Sequence, residues 1–305
     1  MKANAKWLAR VLLALIFLAI ALTGLGIWTG SRDAAPLNRA EMEQSYARSL
    51  AWFHANESTV RSDGNAALWW MVQAAAERMG DTYLLGLVRE ASATIYAAPR
   101  SAGLPWQRMV YPKVDVLMNL VAIEPLSPYQ RFYYHGVTCL PVPLDDGDTT
   151  RFLEENMCRP KPIKALLRDP VCSTHQLIGI QLFKRVGCPV IRDTTDLEAE
   201  LRSDIESQLR VDFVVKDAYL QRVLVLLWSG HADRVKPIWM RRIMSQQQAD
   251  GGWTGERDIP ELPSWINNIR QKEAQPTGFH ATAQGLLIAA LWLTQDGHVD
   301  TAAKP

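Results

Sequence analysis

Residues Val11 to Trp28 read VLLALIFLAIALTGLGIW, eighteen positions without a charge. A helix rises about 1.5 Å per residue and a hydrocarbon core is about 30 Å thick, so this run is long enough to cross a bilayer. Lys2, Lys6 and Arg10 precede it, while Arg32 and Asp33 nearly cancel just after it. The positive-inside rule then expects a cytoplasmic N-terminus, with everything after Ser31 on the far side, periplasmic or extracellular. Ala19-Ile20-Ala21 has the small-x-small form of a cleavage site, so a removed signal peptide is the competing reading. The apolar run continues past that tripeptide to Trp28, which favours a retained anchor; either reading exports the rest. The expected organisation is a cytoplasmic N-terminus and transmembrane signal-anchor helix over 1–30, a linker over 31–38 (SRDAAPLN), and one domain over 39–305.

The chain as a whole is globular by composition, 48% hydrophobic and 21% charged. Its overall net charge of +1 supplies no basic field, so nucleic acid is not an expected partner. Trp is common, at 11 residues, which calls for extensive aromatic packing or an aromatic-lined cavity.

Apolar residues recur at helical spacing through most of the domain. In RAEMEQSYARSLAWFHANE, Met42, Tyr46, Leu50 and Phe53 share one face. NAALWWMVQAAAERMG follows, with Asn65 placed to cap its start and Gly80 to end it, and Asp81 is placed to cap DTYLLGLVREASATIYA. Later, THQLIGIQLFKRVG and DLEAELRSDIESQL are amphipathic. DAYLQRVLVLLWSG and HATAQGLLIAALWL are apolar nearly all round and are expected to be covered on every side. No alternating strand pattern interrupts this series. The fold class expected is all-α, about ten helices arranged as antiparallel hairpins. The exception is 99–172, which holds ten prolines and reads as a lid or an insertion, with a short helix at PKVDVLMNLVAIE and a loop at TCLPVPLDDGDTT.

Three segments end alike, with an aromatic-aliphatic stretch, polar residues, then Asp-Gly: SLAWFHANESTVRSDG, WMRRIMSQQQADGGW and ALWLTQDG. Such recurrence hints at a helical repeat. The middle copy resembles the Gln–Asp–Gly–Trp turn of the terpenoid-cyclase and prenyltransferase repeat family, on Gln247, Asp250, Gly251, Gly252 and Trp253. Where that family has an aromatic residue five before the Gln, this chain has Arg242, with Trp239 three residues further back. The resemblance covers about 50 residues and implies an α/α toroid, in which inner and outer helices surround a central cavity. It also implies that the Gln amide bonds backbone at a neighbouring helix end and that the Trp joins adjacent hairpins. The alternative is a plain glycine turn beside a surface Trp.

Four groups of residues could carry chemistry. Asp145, Asp146 and Asp148 form an acidic loop that faintly resembles the Asp-rich signature of cyclases, where a carboxyl of raised pKa starts carbocation chemistry. A solvated turn or a weak Ca²⁺ site is the competing reading. Cys139, Cys158, Cys172 and Cys188 are disulfide candidates in an exported domain, and nearness in sequence suggests Cys139–Cys158 and Cys172–Cys188. The set His135, Cys139, Cys172 and His175 has spacings that zinc could use, as a weaker alternative, so no metal is expected. His175 and His280 each begin an apolar helix, where the helix dipole lowers an imidazole pKa and suits it to act as a general base or ligand donor. No P-loop, dinucleotide or metalloprotease fingerprint is present, and no cofactor is expected.

The function expected is a membrane-anchored binding or assembly module in an envelope process, with a peptide, glycan, lipid or envelope-protein partner. The alternatives are an enzyme (hydrolase, lyase or cyclase) using rim carboxylates and His, and a structural protein without a pocket ligand. An alkaline carbonate wash is expected to leave the full-length chain in the membrane pellet. Release of a fragment that begins near Ile20 would establish the cleaved signal peptide instead.

Overall fold

The computed structural model describes residues 2–95, 106–114, 128–139, 172–188, 194–212, 214–255 and 277–295. These contain twelve α-helices and no strand. They are α1 (Lys2–Ser31), α2 (Arg39–Ala55), α3 (Glu57–Arg61), α4 (Ala66–Met79), α5 (Thr82–Ile95) and α6 (Gln107–Val110), then α7 (Pro128–Thr138), α8 (Cys172–Val186), α9 (Thr195–Val211), α10 (Asp217–Trp228), α11 (Pro237–Ser245) and α12 (Phe279–Leu293). The all-α reading holds.

Local chemistry sets several boundaries. Asn38 and Glu41 form a capping box at the start of α2, each side chain bonding the other's backbone N–H. The Asn65 side chain caps α4, and Asp81 accepts the Leu84 N–H at the start of α5. Gly80 ends α4 at φ +65°, a left-handed conformation that glycine adopts without penalty. The long helix expected from Arg39 to Glu57 breaks at Asn56, and a one-turn α3 follows.

Hydrophobic burial then orders the helices. α12 carries no charged residue apart from His280 and is buried without interruption from Ala281 to Leu293, enclosed by α2, α4 and α10. α10 is buried from Ala218 to Leu227. Successive contacts α4–α6–α7–α8–α10–α12–α4 close a circuit of six helices. Neighbours in it meet at matching ends. The Trp69 ring lies 5.2 Å from Phe279, the Thr174 hydroxyl bonds Gln221 at 3.0 Å, and Tyr133 lies 5.7 Å from His175. Trp69, Phe279, Thr174, Gln221 and His175 fall near the starts of their helices, and α7 and α8 also share their C-terminal ends through Cys139 and Cys188, so α4, α7, α8, α10 and α12 run in one direction around the circuit. α2 packs against α12, α5 against α4, and α9 against α8 and α10.

Two parts of the proline-rich segment belong to this core rather than to a lid. α7 buries Phe132, Tyr133, Tyr134 and Val137, and α6 buries Met109 and Val110. α7 and α8 approach closely because Gly136 faces Gly179; a Cβ on Gly136 would lie 3.3 Å from the Gly179 carbonyl oxygen. Their C-terminal ends are tied by a Cys139–Cys188 disulfide. The pairing suggested by sequence proximity is thereby overturned: two parallel helices bring together cysteines 49 positions apart. Cys158 and the side chain of Cys172 lie outside the described residues, as does the helix expected at PKVDVLMNLVAIE beyond Val114.

The Gln–Asp–Gly–Trp turn is a junction between elements. Gln247 donates to the Ser45 carbonyl in mid-α2 at 2.9 Å and to the Gly251 carbonyl at 2.9 Å, and it accepts from the Ser45 hydroxyl at 3.0 Å. The amide therefore bonds a helix middle rather than a helix end, because a serine there presents both a hydroxyl and a carbonyl. Gly251, at φ +92°, lies directly against the Arg48 carbonyl. Trp253 is 1% exposed, so it is no surface residue. Its Nε1 donates to the Ile243 carbonyl at 2.9 Å, and its ring covers Gly285 of α12, where a Cβ would come within 2.5 Å. A second junction holds a buried charge. Arg222 of α10, wholly inaccessible, pairs with Asp212 at 2.7 Å and bonds Gln208 at 2.8 Å.

α1 is long and apolar enough over Arg10–Ser31 to cross a membrane. Its side chains from Val11 to Leu25 face outward, whereas its last turn is docked. Gly30 lies against the Arg210 backbone of α9, with no room for a Cβ, and its carbonyl accepts from Trp239 Nε1 at 2.8 Å. Arg241 bonds the carbonyls of Ala35 and Pro36. The segment expected to be a linker is thus fastened at both of its ends. Trp253→Ala is expected to cost about 3–5 kcal/mol by emptying a large buried volume, and Asp212→Ala a similar amount by stranding a buried cation. Chemical denaturation monitored by circular dichroism would check both.

Candidate functional site

The six helices of the circuit line an open-mouthed cavity of about 320 Å³. Its apolar wall is Trp70 and Met71 of α4, Met109 of α6 with Trp106 before it, Tyr133 of α7 and Ile178 of α8. Its polar groups are Asn65, Gln130, Gln221, His175 and His280. All five come from the residue preceding a helix or from its first two turns. Those turns carry backbone N–H groups without an intrahelical partner and the positive end of the helix dipole. Among the described residues, the lining contains no Asp, Glu, Lys or Arg.

The two histidines singled out in the sequence meet here, although 105 positions separate them. His175 is pushed down to about 4, first by burial and then by the nearby His280. Its ring meets Tyr133 edge-on. His280 is half exposed at the mouth, with Nε2 3.6 Å from an Asp217 carboxylate oxygen. That same oxygen accepts from Gln284 Nε2 at 2.8 Å. A carboxylate held by a glutamine amide therefore backs the exposed imidazole. The arrangement can orient the His280 ring, while burial and the nearby His280 keep the His175 ring neutral near pH 7. Asp217, Gln221, Tyr133 and the two tryptophans were not readable as site residues. Each looks like an ordinary helix start or core position, and only the circuit's closure gathers them.

The remaining candidates separate from this site. Asp145, Asp146 and Asp148 lie outside the described residues. Gln247, Asp250, Gly251, Gly252 and Trp253 serve the α2–α11–α12 junction instead: Asp250 accepts from the Gly252 N–H at 3.0 Å and from the Thr277 hydroxyl at 2.6 Å. Cys139 is committed to its disulfide and offers no thiolate to a metal. His135 is 1% exposed and is pushed down to about 4 by burial; among the described residues neither of its ring nitrogens has a hydrogen-bond partner. Among the described residues no three His, Cys, Asp or Glu side chains gather as a metal would require.

Comparison of the chain with protein-family models, with curated proteins and with solved structures finds no match. The site must therefore be read from its own chemistry.

The depressed imidazoles fix the sign of an acid response. His135 and His175 take up protons near 6.5 when unfolded but only near 4 when folded. Between those values the unfolded chain binds more protons, so stability present above about 6.5 is lost as pH falls toward 4. Thermal melts near the two ends of this window are expected to show a lower Tm at the acid end. The loss should shrink in His135→Phe. An acid-independent Tm would refute the burial of these rings.

Proposed function

We propose that this protein is a membrane-anchored, extracytoplasmic α/α-toroid whose central cavity binds a small organic ligand in an envelope process. The observation that carries the reading is the cavity itself, bounded by a circuit of six helices and lined by aromatic residues together with five polar side chains. Its size and lining are those of small-molecule sites, which are concave, mainly apolar and furnished with a small number of placed polar groups. The circuit of six helices, with α2, α5 and α9 packed against its members, supports the toroid, as does the Gln247–Trp253 turn that joins α2, α11 and α12. The outward-facing apolar surface of α1 supports the anchor. Trp7 and Trp28, both exposed, stand about 31 Å apart along the helix, matching the two interfacial belts of a bilayer. A disulfide supports an oxidising compartment.

One observation favours an enzymatic variant of this reading, the Asp217–His280 pair at the cavity mouth. A carboxylate-oriented imidazole beside a bound ligand is suited to proton transfer.

Native mass spectrometry of the full-length chain released from membranes is expected to retain a small organic adduct. Ala67→Trp, which fills the cavity from α4, should abolish it and leave the circular dichroism spectrum unchanged. A chain that carries no adduct and also fails to bind a solvatochromic apolar dye would overturn the binding reading. Labelling of a cysteine placed at exposed Lys113 by an impermeant reagent in intact cells is expected for the extracytoplasmic topology; labelling only after lysis would reverse it.

A further inference from the structure

Five helices of eleven residues or more, α4, α7, α8, α10 and α12, begin at the cavity, and among the described residues no carboxylate, lysine or arginine lines it. The titratable side chains in its wall are His175 from α8, His280 from α12 and Tyr133 from α7. Asp217 of α10 lies 3.6 Å from His280 Nε2 without lining the cavity, and it is already bonded to Gln284. This setting discriminates among ligand classes. A cation would face five positive dipole ends and two imidazoles. A phosphate dianion ordinarily calls for the planar fork of Arg or the charge of Lys, and the described wall has neither. A single negative charge suits two imidazole N–H groups set in the first turns of two helices. In the same lining, Trp70, Trp106 and Met109 supply apolar surface with no hydrogen-bonding requirement beyond the indole N–H.

Resting on the cavity reading above, we infer that the occupant is an amphipathic monocarboxylate, its carboxylate held between His175 and His280 and its aliphatic part against Trp70, Trp106 and Met109.

The test uses the full chain in phosphatidylcholine nanodiscs, with empty discs as the blank, titrated calorimetrically with octanoate, octanol and inorganic phosphate. Octanoate is expected to bind at least about tenfold more tightly than octanol, and phosphate not detectably. His280→Gln, at a half-exposed position, should weaken octanoate about tenfold and leave octanol unchanged. His175→Phe should do the same, with circular dichroism confirming the fold. Equal affinity for octanoate and octanol overturns the carboxylate inference while leaving the cavity reading in place. Tighter phosphate than octanoate also overturns it, as does an unaltered octanoate affinity in His280→Gln. Failure of all three probes, together with the apolar dye, defeats the cavity reading itself.

Discussion

The architecture depends on the complete burial of α12. A fifteen-residue helix with no charge but one terminal histidine cannot remain in water, and α2, α4 and α10 take up its three sides. That enclosure also closes the circuit, because α4 and α10 both pack on α12 and meet each other where Trp70 lies 4.3 Å from Trp228. The Trp253 ring fixes the level at which α12 sits, since it rests on Gly285 where no side chain intervenes. The Gln247 amide fixes the opposite partner, α2. The sequence element that looked like a motif is thus the joint that sets α12 in register. The cavity is a consequence of that register and not of the motif residues themselves.

Much of the fold was legible because it rests on local rules. Helix starts at Asn38, Asn65 and Asp81, the stop at Gly80, and the uninterrupted apolar faces of α10 and α12 are all properties of short windows. What escaped was long-range. Proline density made 99–172 look peripheral, yet Phe132, Tyr133 and Val137 pack inside because a proline at the first residue of α7 is compatible with a helix. The Cys139–Cys188 bridge reflects the parallel pairing of α7 with α8, which no spacing rule encodes. Arg222 sat at the edge of an apolar run and gave no hint of a buried ion pair, since its partner Asp212 lies before the helix.

The candidate site shows the same division. His175 and His280 stood out one by one, each near the start of an apolar helix. Their meeting in one cavity depends on every inner helix pointing the same way, a property of the assembled circuit. The rest of the lining is made of residues that core packing alone would justify, such as Trp70 and Met109. It is the polar set among them, all near helix starts, that makes the space more than a packing defect. A void lined only by apolar side chains would be dry and chemically indifferent; this one carries hydrogen-bonding groups from five helices.

The docked end of α1 has a mechanical corollary. Gly30 is wedged beneath α9, and Trp239 and Arg241 grip the few residues that follow, so there is no swivel between the apolar helix and the folded body. In a lipid sheet, any lean that α1 adopts to suit the local thickness would be passed on as an equal lean of the whole body. The heading of the cavity mouth relative to the lipid plane would then be set by the surrounding lipid rather than by chance tumbling on a tether.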